Sequence, residues 1–569
     1  MKVLTSFFSA TMLVALAGCD NTQKESHSAL TSGSSDVVAI DLLTNQIHNN
    51  KAAYIPAQCY TKTRSKRGQV HNPCFSCHTV GKEPNYIDDS AFQMAYDFRT
   101  YSRTNRWRNL FKDRSAAVKA ISDEDILKYV QSSNYFDAEG NIRLAFLENN
   151  VPSEWDVNQN KRWDGYVPDC FFNFDSEGFD VTPEGHDSGW RAFAYSPFLG
   201  TFWPTNGSAD DVLIRLPESM RQTEAGLYSR IVYRLNLAIV EAMIMRKNIA
   251  IPTTDESVYQ VDLNRNGVLD MAKEVVYRWA PTKGQYMSYV GKAKQLQKKG
   301  RIHLAAGLYP EGTEFLHTVR YLNVNSDQKI ELAPRVKELR YSYKQSWNNY
   351  SQLNSAAMGE VIEGDQFPDR LRTITGNSET GVINGLGWVY QGFIEDKAGH
   401  LRPQTYEESV SCIGCHSGLS VTTDSSFAFA RKLEGSNFQA GWFHWSQKGL
   451  SGLKEPQWKD GRWEYTQYLL ENHSGNEFRN NEEVKNKFFD SKGILKPAEV
   501  ETLHHNIAHL LEPSTERALT LNKAYKVIVE EQSYIYGREP HVLPLNDTVW
   551  DVIPDGETTG VDAPIIKPH

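Results

Sequence analysis

Cys74-Phe75-Ser76-Cys77-His78 and Cys412-Ile413-Gly414-Cys415-His416 are two copies of one pattern, CxxCH, in a chain of 569 residues. Each copy sets two thiols three positions apart and follows the second with a histidine. In a short helical turn, that spacing lets both thiols reach the two vinyl groups of one porphyrin, and the adjacent imidazole ligates the iron from the proximal side. The pattern reads as covalent haem c at two sites, with Cys74, Cys77, Cys412 and Cys415 as thioether cysteines and His78 and His416 as axial ligands. A zinc centre built from the four cysteines is the main alternative, but it leaves both histidines without a role.

Outward from these motifs, the N-terminus carries an address. Met1-Lys2 is a short positive region, and Val3 to Ala15 is an apolar and small-residue run too short to span a bilayer as a stable anchor. It ends in Leu16-Ala17-Gly18-Cys19, which resembles the lipobox of bacterial lipoproteins, cut before a cysteine that is then lipidated. Residues 1–18 are thus expected to be a signal peptide and 19–38, rich in Ser, Thr, Asn and Gln, a flexible tether. Several acyl chains at about 0.8 kcal/mol per buried CH₂ anchor firmly. The expected place is the periplasmic face of a bacterial membrane, the inner one favoured by Asp20 and the outer one open.

The lipobox and the two pentapeptides together resemble bacterial di-haem c-type cytochrome lipoproteins. Gln58-Cys59-Tyr60-Thr61-Lys62-Thr63 and His71-Asn72-Pro73 ahead of Cys74 lend weaker support. The resemblance covers only these short segments. It implies thioether bonds at the four motif cysteines and proximal ligation by His78 and His416. Of seven cysteines, one is expected to hold lipid and four haem, which leaves Cys59 and Cys170. In an oxidising compartment a disulfide between these two is the simplest reading, with two buried thiols or pairing to another protein as alternatives.

The expected fold is mainly α with a mixed α/β central region and cytochrome c-like helical haem lobes. From Cys74 to Cys412 is far more than the ~100 residues of a compact lobe, so the haems belong to separate segments. Residues 39–150 form the first haem lobe, with a loose apolar helix face at Val118, Ile121, Ile126, Leu127 and Val130. Residues 151–330 form the central region, with a helix over Thr223–Arg246 and strands over Arg301–Tyr309 and Glu314–Val324. Residues 331–569 form the second lobe, with helices near Glu482–Phe489, Pro497–Leu511 and Ser514–Gln532.

The second axial ligand decides whether a haem iron is closed or open to small molecules. No methionine follows Met358, so a distal methionine from beyond the second motif is excluded. Candidates there are His444, set among Trp442, Phe443 and Trp445, and His317, in a strand-like run; Met94 is a local option for the first haem. Elsewhere, Asp262, Asn264, Asn266, Val268 and Asp270 around Gly267 match the start of a calcium loop, with hard oxygens at alternate positions and a glycine turn. Lys273 stands where an EF-hand wants glutamate, and an Asn-Gly surface turn is the competing reading.

A net charge of −9 with no basic block gives nucleic acid no electrostatic support. No GxxxxGK, HExxH or GxSxG pattern occurs, so nucleotide hydrolysis, zinc proteolysis and serine hydrolysis lack a motif. The expected cofactors are two covalent haem c groups and, at the loop, Ca²⁺. The expected function is electron transfer between redox partner proteins or quinol-linked donors. A peroxidase- or oxygenase-like di-haem oxidoreductase is the main competitor, and a haem-based sensor or structural lipoprotein the third.

Overall fold

The computed structural model describes residues 42, 55–65, 67–78, 89–96, 98–197, 200, 202–370, 372–418, 422–435, 438–473 and 481–565. Cys19, with the expected signal peptide and tether, lies outside the described residues.

Fourteen strands occur among the described residues. β1 (Thr63–Arg64) and β2 (Val70–His71) form a small ribbon just ahead of the first motif. Then come β3 (Phe179–Val181), β4 (Asp187–Ala192), β5 (Ala209–Asp210) and β6 (Leu213–Arg215). A second ribbon pairs β7 (Ile249–Asp255) with β8 (Met271–Val275). The long strands β9 (Glu314–Val324) and β10 (Ile330–Lys344) follow, and β11 (Thr375–Asn377), β12 (Gly381–Ile383), β13 (Trp388–Glu395) and β14 (Leu401–Pro403) complete the set.

Ten of these strands build one sheet in the order β11-β12-β13-β10-β9-β6-β4-β3, with β14 added beside β13 and β5 beside β9. Every pairing in it is antiparallel. The expectation of a mainly helical fold with cytochrome c-like lobes is therefore corrected. The expected boundary at 330/331 falls inside the sheet, because β9 and β10 form a hairpin.

Strand β10 shows why the sheet was hard to read. Its Arg335, Lys337, Glu338 and Lys344 are buried, each held by a partner that sequence does not reveal. Arg335 Nε pairs with Glu395 at 2.6 Å and Lys337 Nζ donates to the Gly207 carbonyl at 2.6 Å. Buried charges persist only when paired, so this strand is polar in composition and interior in position. Glu314–Val324 is a strand as expected, whereas Arg301–Tyr309 is not; it holds only an isolated bridge between Ala305 and Leu308.

Side chains alternate across the sheet. Leu316, Leu339 and Phe393 point to one face, in a core with Tyr135, Trp163, Trp190 and Cys170. Phe315, His317 and Val319 of β9, with Glu338, Arg340 and Ser342 of β10, line a cavity instead. Register places Arg340 beside His317 and Ser342 beside both Phe315 and Tyr390.

The helices follow their start signals. Ser229 caps Arg230–Met245, shorter at its N-terminal end than the apolar periodicity suggested because residues 223–229 make a turn. The apolar face from Val118 to Val130 lies on two helices, Ser115–Ala120 and Asp123–Gln131, the second capped by Ser122. In the C-terminal region Glu482–Phe488, Pro497–His505, Ala508–Leu511 and Thr515–Glu531 occur close to where they were expected.

Candidate functional site

Helix Tyr406–Cys415 delivers the second motif. Thr405 accepts from the Glu408 amide at 3.1 Å while the Glu408 carboxylate accepts from the Thr405 amide at 2.8 Å, a reciprocal cap. Arg402 grips the same carboxylate with two bonds of 2.8 Å. The helix then runs two and a half turns, so Cys412 and Cys415 come at its end and His416 closes it. All three line a cavity of about 190 Å³ together with His317, Arg340, Glu338, Asp210 and Arg538.

The His416 ring is fixed on several sides. Its Nδ1 lies 2.9 Å from the Ser425 carbonyl oxygen, and Tyr390 and Phe427 pack at 4.8 and 5.4 Å between ring centroids. A carbonyl can only accept, so Nδ1 carries the proton and Nε2 keeps its lone pair. Burial, reinforced by Arg340, pulls the imidazole down to about 4, although the Ser425 bond opposes this. The ring is therefore neutral near pH 7. A carbonyl accepting from one ring nitrogen and a lone pair on the other is the usual state of a metal-ligating histidine.

Ser425 itself is held in a demanding turn. Asp424 and Ser425 adopt φ of 49° and 59°, a region that costs most residues energy. Asp424 is pinned there by an ion pair to Lys344, both side chains essentially sealed from solvent, and by the Tyr309 amide at 2.9 Å.

His317 lines the same cavity from β9. Burial, then Arg340 and His416, push it down to about 3, and its Nδ1 is buried with no hydrogen-bond partner. Below it lies a charged floor. Glu338 accepts from Arg340 Nε at 2.9 Å, Arg538 Nη1 at 2.6 Å and Gln404 Nε2 at 3.1 Å. Burial alone would raise Glu338, but the two guanidinium groups outweigh it and bring the carboxyl to about 2. Glu539 lines the cavity beside Arg538, whose Nε has no partner. Asp210, missed from sequence, is 4 % exposed with one carboxylate oxygen unpartnered. Burial and then Asp211 raise it to about 8.

The first motif lies close by. Cys74–Ser76 is a short 3₁₀ turn in which the Cys77 and His78 amides donate to the Cys74 carbonyl at 3.0 and 2.7 Å. The Cys74 thiol donates to Asn72 Oδ1 at 2.7 Å, and Asn72 Nδ2 in turn reaches the carbonyls of Gln58 and Thr61. Cys59 joins the two neighbourhoods: burial and then Cys415 raise its thiol to about 12, while burial and then Cys59 raise Cys74.

Other expected sites resolve differently. Cys59 and Cys170 are free thiols, so the expected bridge does not form. Cys170 is sealed in the sheet face that carries Leu316 and Leu339, whereas Cys59 lies next to Gln58 on the cavity wall. His444 has both nitrogens engaged, Nε2 with Asp211 and Nδ1 with Ser446, each at 2.6 Å. It has no lone pair to offer and serves to anchor Asp211, which accepts from the Thr318 amide and hydroxyl next to His317. Met94 is 41 % exposed. In the loop from Asp262 to Asp270, Asn264 and Asn266 turn their amide donors onto the Asp270 carboxylate at 2.9 Å, and Asp262 accepts from the Gly267 amide at 3.0 Å. Val268 lies exposed with its amide on Asn266. These bonds close the loop as an Asn-Gly turn, and the second carboxylate oxygen of Asp262 is buried without a hydrogen-bond partner.

A family model described as "-like lipoprotein" matches residues 43–506. The chain belongs to this lipoprotein family. A protein described as an uncharacterized lipoprotein from Aquifex aeolicus (strain VF5) is 29 % identical over 563 residues, covering 88 % of this lipoprotein and 87 % of the relative. No solved structure matches. Membership makes lipid-anchored membrane association the coarse assignment, and among the described residues no helix is long and apolar enough to cross a membrane. The expectation of an electron-transfer cytochrome, with its oxidoreductase and sensor competitors, is corrected: the comparisons reach a lipoprotein family and no redox partner. Among the described residues no three His, Cys, Asp or Glu side chains converge on a metal position.

Proposed function

We propose that this lipoprotein, anchored at the periplasmic face of a bacterial membrane, binds haem covalently at its two CxxCH segments. The observation that carries this reading is the state of His416: a neutral ring, its Nδ1–H spent on the Ser425 carbonyl, on a cavity wall shared with Cys412 and Cys415. The donor set suits the group. Two thiols three residues apart at a helix end meet the spacing of the two vinyl groups, and His416 Nε2 is left for the iron. His317 supplies a second imidazole in the same cavity, and the guanidinium groups of Arg340 and Arg538 suit the propionates. Cys74, Cys77 and His78 form the second attachment segment. Bound haem would supply an iron whose reactivity is set by its axial ligands. The chain's own contribution is to orient His416, to exclude water with Tyr390 and Phe427, and to balance charge with Glu338.

The test is a pyridine haemochrome spectrum of the acid-denatured full chain, produced in a host that matures c-type haem. The expected result is a haem band that stays with the denatured polypeptide. A haem-free chain from a host that loads a control c-type protein would overturn the proposal.

A further inference from the structure

A second cavity, of about 610 Å³, opens between β4, helix Arg230–Met245, β7 and residues 432–435, 440 and 442. Its volume falls in the range of small-molecule sites, roughly 300–1,000 Å³. Four cationic side chains line it, and three of them have carboxylate partners in its wall. Arg234 pairs with Glu177 at 2.5 Å, Lys247 with Glu434 at 2.6 Å, and Lys432 with both oxygens of Glu241 at 2.7 Å.

Arg191 is the fourth, and it makes no ion pair among the described residues. It is only 5 % exposed, and its Nε donates to the Glu177 carbonyl at 3.1 Å. Its plane is clamped by Trp442, at 3.7 Å from ring centroid to guanidinium carbon, and by Phe179 at 4.3 Å. The clamp fixes the direction of the two terminal nitrogens, which make no hydrogen bond among the described residues. A buried charge normally persists through a partner, because desolvation costs several kcal/mol per ion. The strain is visible in Arg191, which burial pulls down to about 9.

One side of the wall is aliphatic, while Ser176, Asn248 and Thr254 are polar lining residues. Ile231, Leu235 and Ala238 lie at i, i+4 and i+7 on the helix, and Ile249 and Ile251 face them from β7. One pre-oriented fork without an ion-pair partner of its own, beside an apolar stripe, matches a single negative head on a hydrocarbon body. A dianion would want more than one spare cation.

We propose that this cavity binds a single-chain monocarboxylate, its carboxylate on the Arg191 fork and its hydrocarbon along the Leu235 stripe. Guanidinium and carboxylate are matched for two parallel hydrogen bonds, which explains arginine here.

The test uses the full chain and two probes of equal length, decanoate and decanol, followed by titration calorimetry. Decanoate is expected to bind at least about tenfold tighter than decanol, which corresponds to one bidentate charge contact. Arg191→Gln is expected to lose that tenfold for decanoate and leave decanol unchanged, with thermal melting confirming that the variant is folded. Arg191→Lys should recover only part of the difference. Equal binding of the two probes by the unmodified chain, no binding of decanoate, or an unaltered decanoate affinity in Arg191→Gln would each overturn the proposal.

Discussion

His416 Nδ1 donates to the Ser425 carbonyl across 2.9 Å, and this one bond decides which imidazole nitrogen stays available to the cavity. The carbonyl is aimed there by a left-handed turn that the buried Lys344–Asp424 pair holds shut. The ring is thereby an oriented donor whose supports come from three other segments of chain.

That support has a measurable cost. Asp424→Ala leaves Lys344 charged and buried alone, which should destabilise the fold by about 3–5 kcal/mol, read from the urea midpoint. Replacing both partners by apolar residues should return much of the loss. A single variant as stable as the parent would show that the pair does not lock the turn.

Asp210 predicts a pH dependence. Burial and Asp211 raise its carboxyl from 3.8 to about 8, against the pull of Arg340 and Arg431. Between those values the folded chain holds a proton that the unfolded chain has released. Stability therefore falls as pH rises through this window, by up to roughly 1.4 kcal/mol per pH unit. Urea midpoints of Asp210→Asn compared with the parent should show a flatter profile from about pH 5 to about pH 8. Parallel profiles would mean that Asp210 ionises normally.

Cys59 and Cys170 should both take up a thiol-alkylating label when the chain is unfolded without reductant, because neither is bridged. Mass mapping that finds both unlabelled until reduction would restore the disulfide.

His317 and His444 separate cleanly. On haem-loaded protein, His317→Leu should change the spin state seen in the optical spectrum. His444→Leu should not, and should instead lower stability by breaking the Asp211 anchor of Thr318. The reverse pattern would exchange their roles.

These outcomes also show what the chain made legible. The CxxCH cysteines and histidines are chemistry of fixed spacing, and His317 stood out within a strand that the structure retains. The sheet was obscured because Arg335, Lys337, Glu338 and Lys344 make β10 look like solvent-facing sequence while its partners lie far off at Glu395, Gly207, Arg538 and Asp424. Asp210 and Arg191 gave no local signal either, since what marks them is a missing partner, and only three-dimensional placement reveals that. The calcium loop was legible as a turn, but the direction of its asparagine amides was not. The surplus of chain between the motifs, which composition could not interpret, is the sheet that walls the cavity.

The most direct test is the intact mass of the acid-denatured full chain from a haem-c-maturing host, with and without Cys412→Ser and Cys415→Ser together. The account predicts that the parent retains two haem masses and the double variant retains one fewer. An identical mass increment in both, or none in either, would contradict attachment at the His416 cavity.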